Sequence, residues 1–81
     1  MRVKLLLFGS IRDAVNGCRE MIWELDENDD TRTLFRSVVS KYPALIQLGT
    51  LAIAVNKKYI TESVELHDGD EVAFLPPMSG G

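Results

Sequence analysis

The sequence predicts an α+β domain, a mixed sheet of four to five strands with one main helix packed on one face. Three observations predict it. Five short apolar segments are separated by turn-forming residues, as strands are. One segment alone, through Leu34, Phe35, Val38, Val39 and Tyr42, repeats its apolar residues at helical spacing. The first and last apolar segments are too hydrophobic for a sheet edge, so they belong side by side in its middle, and a helix over one face completes a two-layer arrangement.

Taken in order, Val3 to Phe8 is apolar except for Lys4 and reads as a central strand buried on both faces. Gly9-Ser10 ends it, and Ile11 to Val15 fits a helical turn capped by the Ser10 side chain, with Asn16-Gly17 as the turn that follows. Met21 to Leu25 is a second strand with Met21, Trp23 and Leu25 on one face, paired with the first across a connection too long for a tight hairpin. The acidic loop Asp26 to Asp30 feeds the main helix. Asp30 or Thr31 is its N-cap, since a short polar side chain there accepts from the first free N–H groups and a carboxylate suits the helix dipole. Arg32, Arg36, Ser37, Ser40 and Lys41 form the solvated face, and Pro43 stops the helix. Leu45 to Leu48 adds a turn before Gly49. Leu51 to Val55 is the third strand, Asn56-Lys57-Lys58 turns the chain into a short strand at Tyr59-Ile60-Thr61, and Asp68-Gly69 turns it again into the closing strand, Glu71 to Leu75. That order of elements is the β-grasp arrangement.

Composition narrows the function. Eighty-one residues make one small domain, and 46% hydrophobic with 26% charged residues is the balance of a folded globule. A net charge of −3, with nine scattered basic residues and Lys57-Lys58 as their only adjacent pair, argues against nucleic acid. Leu5 to Phe8 is too short for the apolar core of a secretory signal, and nothing approaches the length of a membrane span. The single Cys18 has no intrachain partner and no Cys/His cluster for a metal, which fits a reducing cytoplasmic setting.

The most informative stretch is the end, Phe74-Leu75-Pro76-Pro77-Met78-Ser79-Gly80-Gly81. Two prolines fix two φ angles and end any strand entering them, so the chain is expected to divide into a body, residues 1–75, and a flexible tail, residues 76–81. Gly80 and Gly81 lack Cβ atoms and can pass through a narrow tunnel, which makes the carboxylate of Gly81 the expected working group. By strand alternation Val72 and Phe74 share one face, with Glu71, Ala73 and Leu75 on the other. Phe74 and Leu75 therefore cannot both lie under the helix, and one of them is expected in an apolar patch that meets a partner. With Pro76, Pro77, Met78, Ser79 and Gly80 they make up the candidate partner-binding segment.

Asp68 to Gly81, a DGDEVA turn and strand followed by Phe-Leu, Pro-Pro and a short tail ending in Gly-Gly, resembles the closing signature of the ubiquitin-like sulfur carriers, and among them the molybdopterin synthase small-subunit family, often called MoaD. Val3 to Asp13 and Ala54-Val55-Asn56 are similar to that family's first strand with its short helix and to its third strand. Leu75 stands where a second Phe is common and Met78 where Val is common. The resemblance implies a ubiquitin-like β-grasp fold and a substrate-like chain with no catalysis of its own. It also implies a sequence of steps. A ubiquitin-activating-like, MoeB-like adenylyltransferase uses ATP to adenylate the Gly81 carboxylate, and a sulfur donor protein converts the adenylate to a thiocarboxylate. The tail then delivers sulfur to cyclic pyranopterin monophosphate inside the synthase large subunit. No cofactor is expected on the chain itself, since no glycine-rich phosphate loop exists to hold ATP. Carriers for thiamine or tRNA thiolation, a ubiquitin-like modifier joined through Gly81 to lysines, and an adaptor whose tail does no chemistry remain as other readings.

Competing chemistry is thin. Cys18 lacks the histidine context of a nucleophile, and His67-Asp68 reads as a turn because no serine or cysteine has a triad setting. Asp26, Asn28 and Asp30 imitate the start of a calcium loop. Thr31 and Ser37 occupy the positions where that loop needs Gly and Glu.

Overall fold

The computed structural model describes residues 1–76. Strands β1 (Arg2–Leu7), β2 (Glu20–Glu24), β3 (Ala52–Val55), β4 (Lys58–Ile60) and β5 (Glu71–Leu75) form one sheet in the order β2-β1-β5-β3-β4. Helices α1 (Ile11–Ala14) and α2 (Thr31–Lys41) and a 3-10 turn, Pro43–Leu48, lie between them. β1 and β5 run parallel at the centre, and every other pairing is antiparallel. This is the ubiquitin-like β-grasp topology.

The core lies between the sheet and α2. Val3, Leu5, Leu7, Val72 and Phe74 project from the two central strands, and Leu34 and Val38 meet them from the helix, with Ile11, Val15, Leu45 and Leu66 closing the ends. Each of the large side chains contributes roughly 1.5–3 kcal/mol by leaving water. Asp30 caps α2, its Oδ1 accepting from the Thr33 N–H at 2.8 Å. The irregular segment after β4 holds that helix end in place: Val64 N–H donates to Thr31 Oγ1, and Arg32 N–H donates to Ser63 Oγ.

Four expectations need correction. β1 is buried on one face only, because among the described residues no helix crosses the other; Val3, Leu5 and Leu7 are buried while Arg2 and Lys4 are exposed. Ser10 is itself helical in φ/ψ, so its side chain makes no cap bond and α1 starts without one. Ser37 is not simply solvated, since its Oγ accepts from Trp23 Nε1 at 2.9 Å and so satisfies the buried end of the indole. The turn between β3 and β4 is tighter than expected. Only Asn56 and Lys57 lie between the strands, both with positive φ, 50° and 73°.

Candidate functional site

β5 carries the site because it is central. Hydrogen-bonded on both sides, it holds its alternation rigidly, with Val72 and Phe74 fully buried under α2 and Glu71, Ala73 and Leu75 on the sheet's open face. The structure therefore settles which neighbour faces outward. Phe74 is spent on the core, in edge-on contact with Phe35, and its side chain offers nothing to a partner; Leu75 stands on the uncovered face.

Register then places an apolar row across that face. Leu6 is opposite Ala73, Ala73 opposite Ala54, and Ala54 opposite Tyr59. Two alanines in the middle leave a shallow groove, walled by Leu6, Phe8, Leu75 and Tyr59 and bounded at one end by Lys57 and Glu71. Phe8 is 38% exposed and Tyr59 61%, and they stand on the same open face. Other depressions exist, one between α2 and the β3–β4 hairpin and one beside β2 and Lys41, but the open-face groove is the one that adjoins the end of β5.

The chain leaves the sheet beside the β1–α1 connection. Phe8 N–H donates to the Phe74 carbonyl at 3.3 Å, carrying the parallel ladder one residue past β1. Gly9 follows with φ +58°, and a Cβ there would stand 3.0 Å from Pro76 Cγ. Arg12 Nε donates to the Leu7 carbonyl at 3.0 Å, so α1 is tied to the same strand end. Pro77, Met78, Ser79, Gly80 and Gly81 lie outside the described residues, as does most of the expected tail.

Electrostatics at the site's far end are set by Asp70. Partial burial opposes its ionisation, yet hydrogen bonds from Asn56 Nδ2 at 2.9 Å and His67 N–H at 2.8 Å outweigh that, and its pKa lies below the ordinary carboxylate value. Asp30 is lowered as well, by the backbone N–H of Thr33 first and its hydroxyl second. Cys18 is exposed and unpaired. His67 lies 3.7 Å from Glu65 and 3.8 Å from Asp70, with no nucleophile in the arrangement. The acidic loop is turned inward on its own backbone, Asp29 accepting from Asp26 N–H and Asp30 capping α2. Among the described residues no group of three His, Cys, Asp or Glu side chains could hold a metal, and no helix is long and apolar enough to cross a membrane.

Leu6, Phe8, Ala54, Lys57, Tyr59 and Gly9 were not legible as site residues in the sequence. Alternation alone puts Ala73 and Leu75 on one face of their strand; joining them to Leu6, Ala54 and Tyr59 required the register.

A five-stranded mixed sheet with one helix on one face and an apolar open face beside the exit of its last strand defines a ubiquitin-like β-grasp protein. Residues 5–81 match the ThiS family, and the chain belongs to it. It is 37% identical, over the whole of both chains, to a molybdopterin synthase sulfur carrier subunit of Chlamydomonas reinhardtii. A solution structure of small archaeal modifier protein 1 from Methanosarcina acetivorans superposes with TM-score 0.79 at 30% identity, covering 99% of this chain and 96% of that one. A chain in the complex of subunits 1 and 2 of the molybdopterin-converting factor from Helicobacter pylori 26695 gives TM-score 0.71 at 28% identity, with both chains fully covered.

Proposed function

We propose that this chain is the sulfur carrier subunit of a molybdopterin synthase, with the Gly81 carboxylate as its reacting group. One observation carries the reading: the middle strand of the sheet delivers the chain end beside an exposed apolar groove that the fold itself does not use. The names of its relatives support the same assignment. A body with a docking face and a Gly-Gly end is suited to be handed between enzymes.

The chemistry explains why partners are needed. A carboxylate is a poor electrophile. An activating enzyme of the ubiquitin-activating, MoeB-like kind joins a Gly81 carboxylate oxygen to the α-phosphorus of ATP and releases pyrophosphate; sulfide-level sulfur delivered by a donor protein then attacks the acyl carbon, AMP leaves with the bridging oxygen, and the thiocarboxylate remains. ATP binds that enzyme and not this chain. The open-face groove docks on the synthase large subunit, Leu75 near the centre of the contact, while residues 76–81 reach its active site. Charge developing during transfer is stabilised by donors of the large subunit. The setting is cytoplasmic, where reduced sulfur persists.

Intact mass tests the proposal. With activating enzyme, ATP and a sulfur donor, the chain should exchange one oxygen for sulfur, and deletion of Gly81 should abolish the exchange without altering the fold. The likeness to the Methanosarcina modifier favours one second reading, conjugation through Gly81 to lysines. In that case the chain would instead appear attached to other proteins.

A further inference from the structure

We propose that Gly9 is a positioning residue for the tail, its bare Cα forming the seat on which Pro76 sets the direction in which the last residues leave the domain. The inference rests on the sulfur-carrier reading for its functional consequence, though not for its geometry. Three observations meet at this point. Gly9 has φ +58°, in the left-handed region that side-chain-bearing residues rarely adopt. Its missing Cβ would stand 3.0 Å from Pro76 Cγ, closer than carbon atoms normally pack, with Pro76 Cδ at ordinary contact distance, 3.7 Å. The residues on either side are fixed: Phe8 N–H is bonded to the Phe74 carbonyl, and Ile11 N–H to the Phe8 carbonyl. A larger retreat on the Gly9 side would strain the Phe8–Phe74 bond at the end of the central ladder, so the Pro76 ring is the side that must give way.

Pro76 is the first residue after β5, and its ring fixes its own φ. With that ring also seated on Gly9, the departure angle of the chain is set by the body. Five residues follow, spanning at most about 17 Å when extended. A 20° error at the pivot would move Gly81 by on the order of 6 Å at that reach. The reacting carbonyl would miss a partner's active site even with the docking face correctly seated, and a misplacement of 1 Å alone can cost about 100-fold in rate. The open face decides whether the chain binds; the Gly9–Pro76 seat biases the direction in which its end sets out.

The test uses a double-mutant cycle on the full chain, Gly9→Val and Pro76→Ala, with two readouts. First, spin labels on Cys18, which is exposed, and on a Ser79→Cys substitution report the direction of the tail by their distance. Gly9→Val should shift the mean distance by roughly 3 Å in the natural Pro76 background and not in the Pro76→Ala background, because alanine lacks the ring carbons that a side chain at position 9 would strike. Second, in the complex with the synthase large subunit, single-turnover sulfur transfer by thiocarboxylated Gly9→Val should fall roughly 10- to 100-fold while its affinity for that subunit is unchanged. Val in the left-handed region will also lower the melting temperature, and both readouts are therefore taken on folded protein well below it. An unshifted label distance, an equal shift in both backgrounds, or a loss of affinity that accounts for the whole loss of transfer would each overturn the assignment. If the natural chain never acquires sulfur, the proposed function fails instead, and the label distances still judge Gly9.

Discussion

The ring of Phe74 meets that of Phe35 edge-on, with centroids 5.6 Å apart and planes inclined at 60°. This pair joins the strand that leads to the chain end with the helix that covers the sheet. Phe74 is fully buried. Replacing it with alanine removes the largest side chain of the core and leaves a cavity between two rigid layers. Phe74→Ala should cost about 3–5 kcal/mol in urea denaturation, a large part of the roughly 4–12 kcal/mol available to a domain of this size. A loss below about 1 kcal/mol would mean that the ring is not packed as described.

Leu75, the next residue, should behave oppositely. It lines the open-face groove and no helix covers it. Leu75→Asp should leave the unfolding free energy within about 1 kcal/mol of the natural chain while weakening binding to the large subunit and the activating enzyme by roughly 10- to 100-fold. Calorimetric titration of the folded variant measures this. Unchanged affinity per folded molecule would remove Leu75 from the interface.

Acid should destabilise the domain through Asp70 and Asp30. Both carboxyls titrate below their ordinary values in the folded state, so each favours folding above the unfolded-state value near pH 4, and that contribution is lost as pH falls through the lowered folded-state values. Asp70→Asn should flatten the decline in melting temperature below about pH 4. Asp70→Ala, which leaves Asn56 Nδ2 and His67 N–H without their acceptor, should cost roughly 1–3 kcal/mol at neutral pH.

Lys57 occupies the second left-handed position of a two-residue hairpin turn, where Asn-Gly is the preferred pair. Lys57→Gly should therefore stabilise the domain by about 1 kcal/mol, raising its melting temperature by roughly 4–8 °C. Lys57 also bounds the open-face groove. The same substitution should weaken docking if that charge meets an acidic partner surface, and a gain in stability with a loss of binding would show that the strained lysine serves recognition.

Much of the fold was legible in the residues. Glu71–Leu75 was read with its observed bounds because Asp68-Gly69 before it and Pro76 after it leave little choice. The stop at Pro43 followed from the same local chemistry, which narrowed the cap to Asp30 or Thr31; the structure assigns it to Asp30. Leu66, fully buried, was missed, since it sits in an irregular segment without periodicity and is held through Asp29 and Thr31, distant in sequence. β1 was read as covered on both faces because a run of leucines shows hydrophobicity and not which layer lies above it.

The sequence by itself determined the strands, the helix, the parity that separates Phe74 from Leu75 and the Gly-Gly end, because each depends on neighbours a few residues apart. Only the tertiary structure decided which side of β5 the helix takes, how Leu6, Ala73, Ala54 and Tyr59 line up into one groove, and that Gly9 seats Pro76. Apart from Ala54 and Tyr59, which share a hairpin, those relations join residues 19 to 67 positions apart, and register between strands, which no local propensity encodes, is what sets them.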